Sequence, residues 1–370
     1  MTVKSMDNAT ILDRAIDAPD TLASARAARL RLPDDTAMLR TAAEIARDLQ
    51  VAKPVVYWAD FLGSAVVGYA ALYGAVVLGG GWAVMAGILA VLALYRAMSF
   101  IHEVTHIKHS ALPGFRLGYN LVIGVPLLIP SFMYEGVHNL HHTRVRYGTV
   151  DDPEYLPLAL MKPWTLPVFV AVAALAPVGL LLRYAVLSPL SLVIPPLRAA
   201  VVARYSGLAI NPAFRRRPAE GEARSLWVRL EIACSLWAIT LLALVATGTM
   251  PLATFGVVLA IASGVAVLNQ VRTLVAHLWE NDGEPMTVTA QYLDTVNVPP
   301  PALLPALWAP VGLRYHALHH LMPSLPYHAL GEAHRRLTAA LDAESPYHKG
   351  SYAGLPGLVG RLAASTKGRR

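Results

Sequence analysis

Charge is scarce in this chain. Of 370 residues only 15% are Asp, Glu, Lys or Arg, while 55% are hydrophobic. So small a charged fraction, with long stretches that carry none, argues against a soluble domain and for a membrane protein. Cysteine is scarcer still. Cys234, the only one, lies in an apolar run, which excludes a disulfide framework and a cysteine metal site. The long runs also lack polar residues, which tells against a channel or transporter with polar groups along its path. No internal repeat is present beyond a loose pairing of hairpins. Asp7, Asp13 and Asp17 precede the first apolar run, unlike the basic start of a cleaved signal peptide.

Histidine is what the chain has in concentration. Of 13 histidines, eight fall in three boxes: His102-Glu103-Val104-Thr105-His106, His138-Asn139-Leu140-His141-His142 and His316-Ala317-Leu318-His319-His320. Residues three or four apart share a helix face, so each box would point two or three imidazoles one way. Neutral ring nitrogens that converge on one point make a metal site, and imidazole suits iron, zinc, copper and nickel. Eight ligands exceed what one zinc ion takes and suit two ions. Any one box alone reads as ordinary surface or core histidines. Three boxes, two with the same HxxHH spacing, do not.

The boxes sit against the apolar runs in a regular way. Residues 1–54 form a polar, basic segment with an amphipathic stretch (Met38, Leu39, Ala42, Ile45, Ala46, Leu49) after Asp34-Asp35. Runs 55–78 and 82–101, joined by Gly79-Gly80-Gly81, are each long enough to span a bilayer. Asp60 and Arg96 interrupt them near the basic end, where a side chain can snorkel. Runs 226–247 and 252–271 form a second hairpin with an uncharged tip. Each hairpin delivers a histidine just past its second helix: His102 and His106 in one case, His277 in the other. His277 is therefore a candidate ninth ligand.

Between the first two boxes, residues 117–134 are apolar but broken by Pro126 and Pro130. For the boxes to share a site this stretch must dip in and return, or lie in the interface. Residues 163–203, broken by five prolines and Arg183, read as two short crossings or two interfacial helices, an even number of spans either way. The loop with Arg204, Arg215, Arg216 and Arg217 reads as cytoplasmic. Asp151-Asp152-Pro153-Glu154 is either a solvated turn or a pair of carboxylates that orient ligand histidines through their outer ring nitrogens. The expected fold is thus an all-α membrane protein. It has two transmembrane hairpins, giving four clear spans, plus interfacial or re-entrant helices, and a cytoplasmic helical cap carrying the boxes. Its expected divisions are 1–54, 55–341 and a polar basic tail, 342–370.

The order HExxH, HxxHH, HxxHH, set against two hairpins, resembles the integral-membrane fatty acid desaturase and hydroxylase family. The acidic turn after the second box and Met322-Pro323-Ser324-Leu325-Pro326 after the third are similar to it too. The resemblance spans roughly residues 55–341. It implies a non-haem di-iron centre on the cytoplasmic face, with dioxygen as co-substrate. The ligands it implies are His102, His106, His138, His141, His142, His277, His316, His319 and His320. Supporting candidates are Glu103, Asp152, Glu154 and His109, which lies three residues after His106. Asn269 joins them, because some relatives carry an asparagine four residues before the histidine matching His277, where this chain has Thr273.

The implied activity is desaturation of a fatty acyl chain of a membrane lipid. The alternative is hydroxylation of a fatty acyl, sphingolipid or carotenoid substrate. A zinc protease built on HExxH, with Glu103 as base, would leave both HxxHH boxes unexplained. No haem, flavin or ferredoxin domain is evident, so electrons would come from a separate ferredoxin-like or cytochrome-like partner, acidic to suit the basic face. The implied location is the inner membrane of a bacterium, as a multi-pass protein, with no role for nucleic acid.

Overall fold

The computed structural model describes residues 19–367. Asp7, Asp13, Asp17 and Gly368-Arg369-Arg370 lie outside the described residues. Those described are nearly all helical or in turns, with isolated bridging pairs and no strands. Among the described residues five helices are long and apolar enough to cross a membrane: Pro54–Val77, Gly80–His106, Thr165–Ser191, Gly221–Ala246 and Leu252–Leu274.

The first hairpin begins at Pro54, whose fixed φ suits the first helical turn. Its two helices pack along their length, and Gly68 allows this approach. A Cβ there would lie 2.7 Å from the Leu94 side chain and 3.1 Å from the Leu94 backbone nitrogen. Asp60 and Arg96 do not snorkel apart. Arg96 donates twice to Asp60, at 2.6 and 2.7 Å, and Tyr327 adds a hydroxyl donor at 2.9 Å. The apolar residues left exposed on this hairpin (Val66, Val67, Trp82, Val84, Met85, Ile88) form a surface suited to lipid rather than water. The second hairpin packs on the first, with Gly264 against Val91.

Residues 120–131 take the re-entrant alternative. Asn120 closes the loop on itself, accepting from the Ser131 backbone N–H at 2.8 Å and donating to the Ser131 hydroxyl at 3.0 Å. Trp237, about four turns into its helix, donates to the Pro126 carbonyl at 3.2 Å and so fixes the depth of the dip. The chain therefore returns to the side it left, and the first two boxes end up together.

Residues 163–203 form two helical segments of unequal length. Thr165–Ser191 is one continuous helical run, and the return, Pro195–Tyr205, has only 11 residues, too few to cross. The run accommodates its prolines: Pro167 falls in its first turn, and Pro177 and Pro189 at local changes of helical pitch. Arg183 joins run and return by donating to the Tyr205 carbonyl, Ser206 and Glu231.

The flanking segments pack into the cap. Met38, Ala42 and Ile45 lie against Ala333 and Leu337, and Arg29 reaches Glu280. Residues 342–367 also pack against the cap. Tyr347 is buried, Gly350 accepts from the Asn297 backbone N–H, and helix Leu355–Lys367 buries Leu358 and Leu362.

Candidate metal centre

The cap gathers nine imidazoles. His102 and His106 end the helix Gly80–His106, while His138–His141 and His316–Leu321 are short helices bearing the other two boxes. His277 follows the turn after Leu274 and is fixed by a bridge to Thr295. The rings fall into two groups. His102, His106, His138, His142 and His319 form one; His141, His277, His316 and His320 form the other.

Each HxxHH box is thus split between the groups. The i and i+4 members (His138 with His142, His316 with His320) stay together, and the i+3 member (His141, His319) crosses to the other group. One helical turn therefore contributes rings to both groups. The groups adjoin where His142 stacks on His320, with ring centroids 4.2 Å apart.

Nitrogens within a group face one another closely. His138 and His142 Nε2 are 3.0 Å apart, His106 and His319 3.1 Å, His142 and His319 3.2 Å. In the second group His277–His316 and His316–His320 are 3.1 and 3.2 Å. Nitrogens held at about 2.1 Å from a common ion at right angles would lie ~3.0 Å apart, a spacing these rings would fit.

Outer nitrogens are held by acceptors in several cases. His138 Nδ1 donates to Glu154 at 3.0 Å, and His141 Nδ1 lies 2.9 Å from both oxygens of Asp152. His277 Nδ1 donates to the Tyr147 hydroxyl at 2.9 Å, and Tyr147 and Tyr155 both donate to Asp294 at 2.8 Å. Such contacts leave the lone pair on Nε2, facing the group. His102 has no partner at either nitrogen, nor has His319 at Nδ1, although all are buried. Orphaned buried nitrogens in a ring of neutral donors are what a metal ion would satisfy.

Electrostatics agree. Burial, reinforced by neighbouring imidazoles, pushes His138, His142, His316, His319 and His320 well below the usual histidine range. His277 follows for the same reasons. These rings are therefore neutral and available as ligands. His141 is the exception: burial opposes its charge, but Asp152 outweighs burial and holds it above the usual range. Burial also pushes Glu154 and Asp294 up to about 7, a cost that cations nearby would offset.

Two supporting candidates stand apart from the rings. His109 is half exposed and pairs with Glu135 at 3.3 Å, touching none of the nine rings. The loop leaves the helix axis after His106, so helical spacing no longer holds. Asn269 uses its carbonyl to accept from Thr273, one turn on, and its side chain reaches no imidazole. Glu103 lies 3.5 Å from His102 Nδ1, but its hydrogen bonds go to the Tyr57 hydroxyl and the Tyr327 backbone N–H. Asp152 and Glu154 of the acidic turn lie against His141 and His138.

Sequence reasoning missed the Tyr147, Tyr155 and Asp294 cluster, and Arg272, which donates to His316 Nδ1 at 2.9 Å. It also missed Tyr134, stacked on His138 at 4.4 Å.

Comparison with known proteins gives a consistent picture. Residues 80–351 match the profile described as "Fatty acid desaturase". The chain is similar to a ceramide hydroxylase of Caulobacter vibrioides, with 49% identity over 333 residues, 89% of this chain and 93% of the other. No solved structure matches.

Proposed function

The chain belongs to the fatty acid desaturase family, and from that premise we propose that it hydroxylates a ceramide-type sphingolipid with two iron ions held by the nine histidines. Membership makes it a membrane-bound, lipid-modifying oxidoreductase. Hydroxylation is preferred to the desaturation expected first because of one observation: the near end-to-end similarity to a ceramide hydroxylase. The two reactions share removal of a hydrogen from an unactivated alkyl chain and differ in whether oxygen is then delivered to the carbon.

Iron, when bound, supplies the reductive activation of dioxygen that no side chain provides. The protein's own contribution is geometric. His102, His106, His138, His142 and His319 would hold one ion, and His141, His277, His316 and His320 the other. Glu154, Asp152 and the Tyr147–Asp294 pair keep protons on the outer nitrogens and lock the ring planes. The Tyr134 and Trp279 rings, packed against His138 and His277, keep water from the donor set. Glu103 is engaged by Tyr57 and Tyr327 and so is not placed as a protease base.

The side of the membrane follows from charge. The loop with Arg204, Arg215, Arg216 and Arg217 lies on the same side as the cap, since Arg216 donates to the Glu135 carbonyl three residues before His138. The positive-inside rule makes that side cytoplasmic. A separate one-electron donor would approach there.

Lipid mass spectrometry of a sphingolipid-producing host, with and without this chain, tests the reading. Ceramides that gain one oxygen and keep their unsaturation are expected. Products that lose two hydrogens and gain no oxygen would restore desaturation.

A further inference from the structure

The loop after Tyr205 folds into a cavity that plays no part in the donor set. Its volume is about 230 Å³, and its walls include Arg204, Tyr205, Asn211, Phe214, Arg215 and Arg216, with no acidic side chain among them. Arg216 forms the back. It is half buried, donates to the Glu135 and Ser206 carbonyls, and lies 4.4 Å over the Trp227 ring. Arg215 uses one nitrogen on the Pro212 and Phe214 carbonyls and keeps the rest of its fork free. Among the described residues, neither Arg204 nor Arg215 has a carboxylate partner, and both are exposed. Three guanidinium groups around one hollow repel one another unless an anion joins them. The planar, multidentate fork of arginine matches phosphate oxygens in particular.

Depth selects the source of the phosphate. The helix Gly221–Ala246 starts where this loop ends, and its exposed apolar side chains begin at Val228. Seven residues of helix span about 10 Å, so the cavity lies close to the edge of the hydrocarbon layer, at headgroup level. Tyr205, half exposed on its rim, suits that boundary. We propose that the cavity binds the phosphate of an anionic membrane lipid from the facing leaflet. The site holds whether the chain hydroxylates or desaturates.

Occupancy would reach the metal centre mechanically. Arg216 grips the Glu135 carbonyl, and Gly207 lies against Val137, 2.9 Å from where a Cβ would stand. Residues 135–137 lead straight into His138. A bound phosphate that steadies the loop would thereby steady the second box.

Native mass spectrometry of the full chain in a neutral detergent tests this, with phosphatidylglycerol, a neutral diacylglycerol and inorganic phosphate as separate probes. The double variant R204Q/R215Q should bind phosphatidylglycerol about thirtyfold more weakly. R217Q/R224Q removes the same charge outside the cavity, where solvent screens it from the bound phosphate, and should bind within about twofold of the parent. Equal weakening in both variants would reduce the effect to general surface charge and overturn the site. Unchanged binding in R204Q/R215Q would overturn it as well. Tight retention of inorganic phosphate, with no preference for phosphatidylglycerol, would overturn the lipid as source. Iron content, measured on each variant, separates these outcomes from failure of the metal centre.

Discussion

Residues near the two histidine groups differ in what they hold. His141 is held by Asp152, and Asp152 in turn accepts from the backbone N–H groups of Gly148 and Glu154 at 2.8 Å. Replacing His141 with Ala should abolish turnover and lower bound iron while insertion into the membrane persists. Full activity in that variant would remove the second box from the chemistry. Asp152→Ala leaves His141 in place but frees its ring, and about 10- to 100-fold weaker metal affinity is expected, read by competition with a chelator. An unchanged affinity would show that the Asp152 contact does not tune metal binding. Both residues were legible in sequence, because helical spacing and a short acidic turn act locally. The Tyr147 hydroxyl was not. It meets His277 across 130 positions and Asp294 across 147, and only tertiary packing decides such a meeting. His109 failed for the converse reason: its spacing was right, but the helix had already ended.

Elements owe their positions to a few close approaches. The first hairpin is the clearest case, since Gly68 lies where a Cβ would strike Leu94, whereas a Cβ on Gly63 meets nothing within 4 Å. Gly68→Ala should therefore lower the thermal midpoint in detergent, by overpacking of about 1–3 kcal/mol, and Gly63→Ala should not. Equal midpoints for the two variants would show that the helices do not pack here. The two hairpins could be read from apolar length and uncharged tips. The 27-residue run Thr165–Ser191 could not, because Pro177 and Pro189 sit inside it where local changes of helical pitch absorb them. The ion pair of Asp60 with Arg96 was hidden as well, since the two lie 36 positions apart on different helices.

At the scale of the whole molecule, segments far apart in sequence meet at one cap. The chain after Leu341 takes part in it through Tyr347, Gly350 and the helix Leu355–Lys367. Truncation at residue 342 should thus expose apolar surface of the cap and reduce iron retention, visible as aggregation on gel filtration. A monodisperse, iron-loaded truncated protein would make the segment dispensable. The central claim is that three boxes and His277 jointly hold two irons. Metal analysis of the purified full chain by mass spectrometry tests it most directly. About two irons per chain are expected, falling sharply when one histidine of either group is replaced by Ala. About one zinc per chain with no iron, indifferent to changes in the HxxHH boxes, would contradict the account.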